Sequence, residues 1–378
     1  MTQHTRFEEI GACFAALDRS PLDVGRGVWI YGAGGFGRSL GRALAGAGLP
    51  LLGFIDRKSE GAMQVDGRPC IHPERLADAD CEGAFYLHGL LNHYFSSRDI
   101  VDWAATRPFA GLLFASDLYR SPAFSVCNYW FDNPERTLGE AGLIRQAFEA
   151  LDDEESRALM RDLLAYRLHN DPRRHPRVDK AGMYVPDFLP LRAAPLTFVD
   201  GGAYNGDTLE DLLRAGVKIA DWIAFEPDSA NLEALRATAA RRADEIGAYS
   251  LFPFGLSDRN GLVGFASDGG EASHVVDNPG PGFKGATIAV ARLDDVVKRS
   301  QPAYVKLDIE GAEPAALRGM ERFLSEGNMF ALSVYHRPDH LWTIPLWLRK
   351  KLPNARLRLR QHGHHAFDTV LYAWTGSD

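Results

Sequence analysis

The spacing of apolar positions changes along the chain and divides the sequence into three stretches. Near the N-terminus, "GVWIYGAGGFGRSLGRALAGAGLPLLGFIDRK" predicts a strand, a glycine turn, a helix and a strand, and "GAFYLHGLL" with "FAGLLFAS" extends a small parallel sheet to about residue 118. Between 120 and 195, the apolar residues of "LGEAGLIRQAFEALDDEESRALMRDLLAYRLH" recur every three or four positions, which predicts an amphipathic helical pair, and proline-rich stretches follow it. From Leu196 short strands and helices alternate again, and "ARLRLRQHG" with "FDTVLYAW" predicts an all-strand end.

Together these patterns predict an α/β protein with two Rossmann-like doubly wound domains joined by a helical connector. The boundaries that they indicate are 1–120 for the first domain, 121–195 for the connector and 196–378 for the second domain. The length of 378 residues agrees with this division, because single domains usually contain about 100 to 200 residues.

Composition narrows the class of protein and its partners. The chain contains 46% hydrophobic and 24% charged residues, and no apolar run approaches the ~20 residues that a membrane helix needs. The N-terminus has no signal-peptide pattern. We therefore expect a cytoplasmic protein without a transmembrane segment. The net charge of -8 argues against nucleic acid as a partner. The basic stretches "RRHPR" and "RKKLPNARLRLR" could meet an anionic substrate or a membrane surface, but we interpret them as a solvated helix end and an alternating strand. Cys13, Cys70, Cys81 and Cys127 lack CxxC spacing, so we expect buried or idle thiols.

Acidic residues and glycines follow the predicted strands of the second domain. Ligands of an open parallel sheet bind outside the carboxyl ends of its strands, so these residues are expected to share one rim. The stretch "FVDGGAYNGDT" ends the first strand, "AFEPD" the second, "GLSD" the third and "VKLDIEGAE" the fourth. From these stretches we predict a cofactor site of Asp200, Gly201, Gly202, Tyr204, Gly206, Asp207, Thr208, Glu226, Pro227, Ser257, Asp258 and Asp308.

This rim favours a nucleoside-like ligand that carries positive charge. An acid that closes the second strand, here Glu226, can accept hydrogen bonds from both ribose hydroxyls, each contributing ~1.5 to 3 kcal/mol. The carboxylates of "DGGAYNGDT" would repel a pyrophosphate at the first loop. S-adenosylmethionine fits these requirements, because it contains a ribose, an ammonium group and a sulfonium.

The four stretches resemble, in order, the motifs of the FkbM family of S-adenosylmethionine-dependent methyltransferases, and the likeness covers about residues 140–378. It implies a class I methyltransferase sheet. It also implies that Asp200, Gly202 and Gly206 line the methionine part of the cofactor, that Glu226 binds the ribose and that Asp258 lies near the adenine. Asp308 and Glu310 would face the methyl donor or the acceptor. The alternative for each residue is a turn or helix-cap role.

Methyl transfer to a hydroxyl requires a base that takes the proton, and the candidates are Asp308, Glu310 and His336. His336, in "SVYHRPDHLW", could equally be a hydrogen-bonded spacer. Carboxylates with His336, or the histidines of "QHGHHAF", could gather round a divalent ion, but their spacing is unconvincing and we predict no metal. Tyr184 and Trp342 would either cover the adenosine or a sugar, or serve in packing.

The first domain carries a motif of its own. Gly32, Gly34 and Gly37 satisfy GxGxxG between a strand and a helix, and Asp56 ends the next strand. The stretch 25–118 resembles the small Rossmann-like domain in front of nucleotide-sugar acetyltransferases, which implies a second nucleotide site that receives phosphate on the glycine turn. The alternatives are NAD and a scaffold without ligand.

The sequence therefore predicts an S-adenosylmethionine-dependent O-methyltransferase of FkbM type, with a hydroxyl of a sugar or glycan precursor, free or nucleotide-linked, as the expected acceptor. One alternative is a bifunctional enzyme with NAD-linked sugar chemistry in the first domain, for which no YxxxK pair follows "FIDRK". The other is a non-catalytic nucleotide-binding scaffold, which would be expected to lose the donor-site acids.

Overall fold

The computed structural model describes residues 7–15, 17–121, 124, 130–267, 273–276, 285–298, 302–325 and 327–375. Two compact units divide the chain. The first contains 1–145, 157–178 and 363–367, and the second contains 146–156, 179–362 and 368–378. The predicted α/β class with parallel sheets is confirmed. The boundaries at 120 and 195 stay predictions.

The helices of the chain precede and follow short strands, as the pattern predicts for an α/β protein. In chain order they are α1 Phe7–Ala15, α2 Gly35–Gly46, α3 Asp78–Cys81, α4 Arg98–Ala105, α5 Pro134–Gly139, α6 Ala141–Ala150, α7 Glu154–His169, α8 Asp207–Arg214, α9 Ser229–Arg242, α10 Leu293–Val296, α11 Glu313–Arg318 and α12 His340–Lys351. The predicted helical pair corresponds to α6 and α7. No helix among the described residues is both long enough and apolar enough to cross a membrane.

The first unit is built on a six-stranded sheet. Its strands are β1 Val28–Tyr31, β2 Leu51–Ile55, β3 Gln64–Val65, β4 Arg68–Ile71, β5 Phe85–His88 and β6 Gly111–Leu113. The order is β3-β4-β2-β1-β5-β6, and every pair is parallel except β3 with β4. All four residues of β1 are buried, because a central parallel strand is covered on both faces.

The second unit holds a seven-stranded sheet and a four-stranded sheet. The strands are β7 Leu196–Gly201, β8 Ile219–Phe225, β9 Tyr249–Phe252, β10 Gly255–Leu256, β11 Gly261–Ser267, β12 Ser273–Val276, β13 Ala286–Ala291, β14 Ala303–Leu307, β15 Met329–Ser333, β16 Arg356–Gln361 and β17 Thr369–Trp374. The larger sheet has the order β16-β17-β15-β14-β7-β8-β9, in which β17 runs antiparallel to both of its neighbours. The smaller sheet has the order β10-β13-β11-β12.

This strand order positions the site. The chain runs outward from β7 through β8 to β9 on one side, and later returns to β7 with β14 and β15 on the other. The loops after β7 and β14 therefore leave from neighbouring strands at a point where the direction of winding reverses. A crevice outside the carboxyl ends of the strands is expected at such a point.

The structure bears on two expectations from the composition, which concern the cysteines and the basic stretch near the C-terminus. Cys70 and Cys81 are buried free thiols, and burial raises the pKa of each. Cys127 and the side chain of Cys13 lie outside the described residues. The strand predicted in "ARLRLRQHG" is β16, but it is less solvated than its charges indicate, because the Arg360 side chain is buried and pairs with Asp153 at 2.8 Å.

Candidate functional site

A cavity of about 1040 Å³ opens at the carboxyl ends of the central strands of the second unit. This volume lies at the upper end of the roughly 300 to 1,000 Å³ typical of ligand sites. Most of the predicted site residues line it: Gly202, Tyr204, Asp207, Thr208, Glu226, Pro227, Ser257, Asp258, Asp308 and Glu310. The lining does not include four others, which are Asp200, Gly201, Gly206 and His336.

The glycines after β7 allow two strand ends to touch. Gly202 has φ +75°, and a Cβ atom there would lie 2.0 Å from the carbonyl oxygen of Asp308. A Cβ atom on Gly201 would lie 2.7 Å from the Leu307 side chain. Gly206, with φ +86°, precedes α8 and packs against Thr238. These glycines therefore serve close backbone packing, and Gly202 also lines the cavity.

Asp200 is fully buried and is not among the residues that line the cavity. Its Oδ1 atom lies 3.2 Å from Nζ of Lys306 on the neighbouring strand β14, and that ammonium donates a hydrogen bond of 2.5 Å to the carbonyl oxygen of Gly202. Burial raises the pKa of Asp200, which Lys306 opposes. Sequence reasoning missed Lys306, although a lysine within an apolar strand is itself a signal, because buried lysines are almost always paired.

Glu226 joins the loops that follow β7 and β8. Its Oε2 atom accepts a hydrogen bond of 2.8 Å from the backbone N–H of Tyr204, and Oε1 accepts one of 2.9 Å from that of Asp228. Burial raises the pKa of this carboxyl. Each oxygen keeps lone-pair capacity beyond these bonds, and the residue lines the cavity, so the carboxylate can accept further donors from a ligand.

Asp258, after β10, is held by an arginine that the sequence did not indicate. Both Nε and Nη2 of Arg318 donate to its Oδ2 atom, at 3.0 and 2.9 Å. Burial opposes ionisation, but the guanidinium lowers the pKa of this carboxyl below its usual range. Asp258 and Arg318 both line the cavity.

Asp308 receives hydrogen bonds from two phenols. The hydroxyl of Tyr184 donates to Oδ2 at 3.2 Å, and that of Tyr335 donates to Oδ1 at 3.4 Å. Tyr184 thus contacts Asp308. Neither interpretation of Tyr184 from the sequence, a cover for the ligand or a packing residue, included this contact. Trp342 is buried in α12 and is outside the cavity lining, which agrees with its packing interpretation.

Glu310 differs from the other acids of the rim. Its Oε2 atom is buried without a hydrogen-bond partner and lies 3.8 Å from Nε2 of His336. Burial raises the pKa of this carboxyl to about 7. The backbone adopts φ +56°, a conformation that costs a non-glycine residue energy and is concentrated at functional sites.

His336 is held by Glu313, the first residue of α11. Its Nδ1 atom lies 2.9 Å from Oε1 of Glu313, and the same oxygen accepts a hydrogen bond of 2.9 Å from the backbone N–H of Ile309. Burial opposes both charges, yet their attraction lowers the pKa of Glu313 to about 2 and raises that of His336 to about 9. His336 is therefore protonated at neutral pH, which favours its spacer interpretation over a base. Sequence reasoning missed Glu313.

We expect Glu313→Ala to lower the free energy of unfolding by about 3 to 5 kcal/mol, because it leaves a buried imidazolium without its partner. The ordinary pKa values are 4.5 for Glu313 and 6.5 for His336. The carboxylate's contribution is present above pH 4.5 and is lost as the pH falls towards 2. The imidazolium's contribution is complete below pH 6.5 and is lost as the pH rises through 9.

Urea unfolding of Glu313→Ala and the parent protein at about pH 5.5, where both contributions are present, and again above pH 9 measures this difference. The penalty should shrink at the higher pH. Glu321→Ala, which removes an exposed acid paired with Lys351 at 2.7 Å, is the control and should unfold like the parent. A Glu313→Ala midpoint equal to that of the control would contradict the assignment.

The histidines near the C-terminus have protein partners. In the first unit, His365 bonds through Nε2 to the Ser97 hydroxyl at 3.1 Å and through Nδ1 to the Tyr166 hydroxyl at 3.1 Å. In the second unit, Nε2 of His362 bonds to the Tyr372 hydroxyl at 2.8 Å. Across the described residues, no group of three or more His, Cys, Asp or Glu side chains is arranged to hold a metal ion.

The first unit brings its predicted residues together at one turn. Gly32 has φ +106°, and a Cβ atom on Gly37 would lie 1.9 Å from the Gly32 carbonyl oxygen. Asp56 accepts through Oδ2 from the N–H of Ala33 at 2.8 Å. Gly34 caps α2 without a side-chain hydrogen bond, and open space surrounds the position of its missing Cβ. The N-terminus of α2 is therefore accessible.

Comparison with known proteins bears on the fold of the chain and on the family of residues 200–365. Residues 200–365 match the family model of the methyltransferase FkbM domain. Among solved structures, methyltransferase FkbM from Methylobacillus flagellatus KT aligns over 97% of this chain and 98% of its own, with a TM-score of 0.76 and 20% identity. Precorrin-6y C5,15-methyltransferase from Geobacter metallireducens GS-15 aligns over 50% of this chain and 84% of its own, with a TM-score of 0.30 and 13% identity. The curated proteins contain no match.

These findings confirm part of the sequence-based expectation. The resemblance to the FkbM methyltransferases is confirmed for residues 200–365, and the structural likeness shows that the fold is shared. The likeness of the first domain to that of nucleotide-sugar acetyltransferases stays a prediction.

Proposed function

We propose that this chain, whose residues 200–365 form an FkbM-type methyltransferase domain, is an S-adenosylmethionine-dependent O-methyltransferase. The acceptor would be a hydroxyl of a sugar or glycan precursor. The observation that carries the proposal is Glu310, whose unpartnered Oε2 atom and pKa of about 7 suit a base acting near neutral pH in the cavity of the family domain.

The residues lining the cavity fit the methyl donor. Glu226 has lone-pair capacity for the ribose hydroxyls, and the acidic Asp207 follows the glycine loop, where an ammonium group is favoured and a phosphate is not. Leu256, Ile288 and Val290 give the lining an apolar part that suits a base such as adenine. Asp200 would act through Lys306, which holds the Gly202 carbonyl, and so would position the loop without contacting the donor.

The bound donor supplies an electrophilic methyl carbon. Glu310 would take the hydroxyl proton on Oε2 as the acceptor oxygen forms its bond to the methyl carbon and the carbon–sulfur bond breaks. His336, already protonated, would hold the adjacent carboxylates in place, since its Nε2 atom lies 3.4 Å from Oδ1 of Asp308. The phenols of Tyr184 and Tyr335 occupy Asp308 and leave Glu310 as the stronger candidate for the base.

Calorimetric titration with S-adenosylhomocysteine, the demethylated donor, tests the proposal. Micromolar binding is the expected result. If the intact protein does not bind it, the proposal fails and the scaffold alternative is favoured.

The first unit would bind a nucleotide or a nucleotide sugar. The accessible N-terminus of α2 and the turn at Gly32 support this role, because free backbone N–H groups there favour phosphate. We expect Gly34→Asp to weaken binding of UDP-glucose at least tenfold, through repulsion between the new carboxylate and phosphate.

Calorimetry with UDP-glucose and with NAD measures this effect. Gly46→Asp, which adds the same charge at the other end of α2 where open space surrounds the glycine, is the matched control. Loss of NAD binding alone in Gly34→Asp would favour the dinucleotide alternative, and unchanged affinity for both ligands would remove the support for a site at this turn.

A further inference from the structure

The rim of the cavity carries an arginine that the proposed mechanism does not use. Arg337 follows the buried His336, between β15 and α12, and lines the cavity. Its side chain is exposed, and its Cγ atom lies 3.5 Å from the point where a Cβ atom on Gly311 would stand. The stem of the side chain therefore packs over the loop that carries Glu310.

The other cations of the cavity lining are engaged with carboxylates. Lys306 pairs with Asp200 at 3.2 Å, and Arg318 pairs with Asp258 at 2.9 Å. Arg259 follows β10, and its charge lowers the pKa of the adjacent Asp258. These groups lie on or behind the part of the cavity assigned to the donor.

Arg337 has no such engagement. Within the described ranges its guanidinium forms no salt bridge and donates no hydrogen bond, although acidic residues line the same part of the cavity. Of those acids, Asp308 accepts from Tyr184 and Tyr335, and the charge of His336 lies near both Asp308 and Glu310. The planar fork of donors is therefore available to a ligand.

We propose that Arg337 binds an anionic group, a phosphate or a carboxylate, on the methyl acceptor. The inference rests on the proposed function, in which Glu310 receives the acceptor hydroxyl. A guanidinium pairs with either anion through two parallel N–H donors, which adds orientation as well as binding energy. The acceptor class that follows is an anionic hydroxyl compound, such as a sugar phosphate or a uronic acid.

The charges around the loop would orient such an acceptor. Asp308, Glu310 and Asp339 make this part of the lining acidic, so an anion is unfavourable there except beside Arg337. An acceptor with its anion on Arg337 directs its uncharged hydroxyl side towards Glu310. A neutral sugar would gain no corresponding preference for one orientation.

Calorimetry on the full-length protein tests the inference with Arg337→Gln and Arg337→Lys. Each protein is titrated first with S-adenosylhomocysteine. With that ligand saturating, it is then titrated with glucose 1-phosphate, glucuronate and the neutral methyl glucoside. We expect at least one anionic sugar to bind the parent at least tenfold more tightly than methyl glucoside. Arg337→Gln should remove this difference, and Arg337→Lys should keep part of it.

The two anionic sugars distinguish phosphate from carboxylate as the recognised group. Arg236→Gln, which changes an exposed arginine of α9, is the control and should bind like the parent. The inference is overturned if neither anionic sugar binds more tightly than methyl glucoside, or if Arg337→Gln retains the full difference. Failure of the proposed function has a different signature, because the parent would then not bind S-adenosylhomocysteine in the first titration.

Discussion

Replacing Glu310 by glutamine should lower the turnover number about 10²- to 10⁴-fold and leave the affinity for S-adenosylhomocysteine near that of the parent. The substitution preserves shape and removes the ability to take a proton on Oε2, the buried oxygen that has no hydrogen-bond partner. Transfer of radiolabelled methyl from S-adenosylmethionine to an acceptor that the parent methylates measures the first quantity, and calorimetry measures the second.

The pH profile separates a base from a residue that merely shapes the site. With a pKa of about 7, Glu310 is half ionised near neutrality, so the parent rate should fall about tenfold for each pH unit below 7. The rate of Glu310→Gln should not show this fall, which is the acidic limb of the pH profile. Asp308→Asn is the matched comparison, because its carboxylate already accepts from two phenols, and it should keep the limb. Full turnover in Glu310→Gln would exclude Glu310 as the base.

Glu226→Ala should weaken binding of S-adenosylhomocysteine about 10²- to 10⁴-fold. Two charge-assisted hydrogen bonds to ribose hydroxyls, each contributing about 1.5 to 3 kcal/mol, account for this range. The substitution also frees the backbone N–H groups of Tyr204 and Asp228, which Glu226 holds at 2.8 and 2.9 Å. Calorimetric titration measures the loss directly.

Two further variants locate the cause of that loss. Glu226→Gln keeps an acceptor oxygen and should retain part of the affinity, whereas Glu233→Ala removes an exposed acid of α9 and should bind like the parent. If Glu226→Ala binds as tightly as Glu233→Ala, the ribose assignment is wrong.

The elements and the acidic rim follow from local patterns. Alternating apolar runs and glycine turns predict most strands of the three sheets, because each signal lies within a few neighbouring residues. The same reasoning brings Glu226, Asp258 and Asp308 to one cavity, since consecutive parallel strands present their carboxyl ends at one edge. The FkbM resemblance drew on these stretches and was confirmed for residues 200–365.

The ion-pair partners and the protonation states of the site residues depend on contacts between residues that are distant in sequence. Asp200 pairs with Lys306, which lies 106 positions away on the adjacent strand. The residues near Asp200 in the sequence therefore do not indicate this partner. The carboxylate of Glu313 stabilises the protonated form of His336. Only this ion pair distinguishes the two interpretations of His336, a base and a hydrogen-bonded spacer.

The sequence by itself thus determined the order of most strands and helices, the rim at which acids collect and the resemblance of residues 200–365 to the FkbM methyltransferase domain. Only the tertiary structure decided that an oxygen of Glu310 is buried without a hydrogen-bond partner, that His336 is charged and that the guanidinium of Arg337 has no ion-pair partner among the described residues. The physical reason is that periodicity is a property of adjacent residues, whereas desolvation and ion pairing arise where separate strands and loops enclose a side chain.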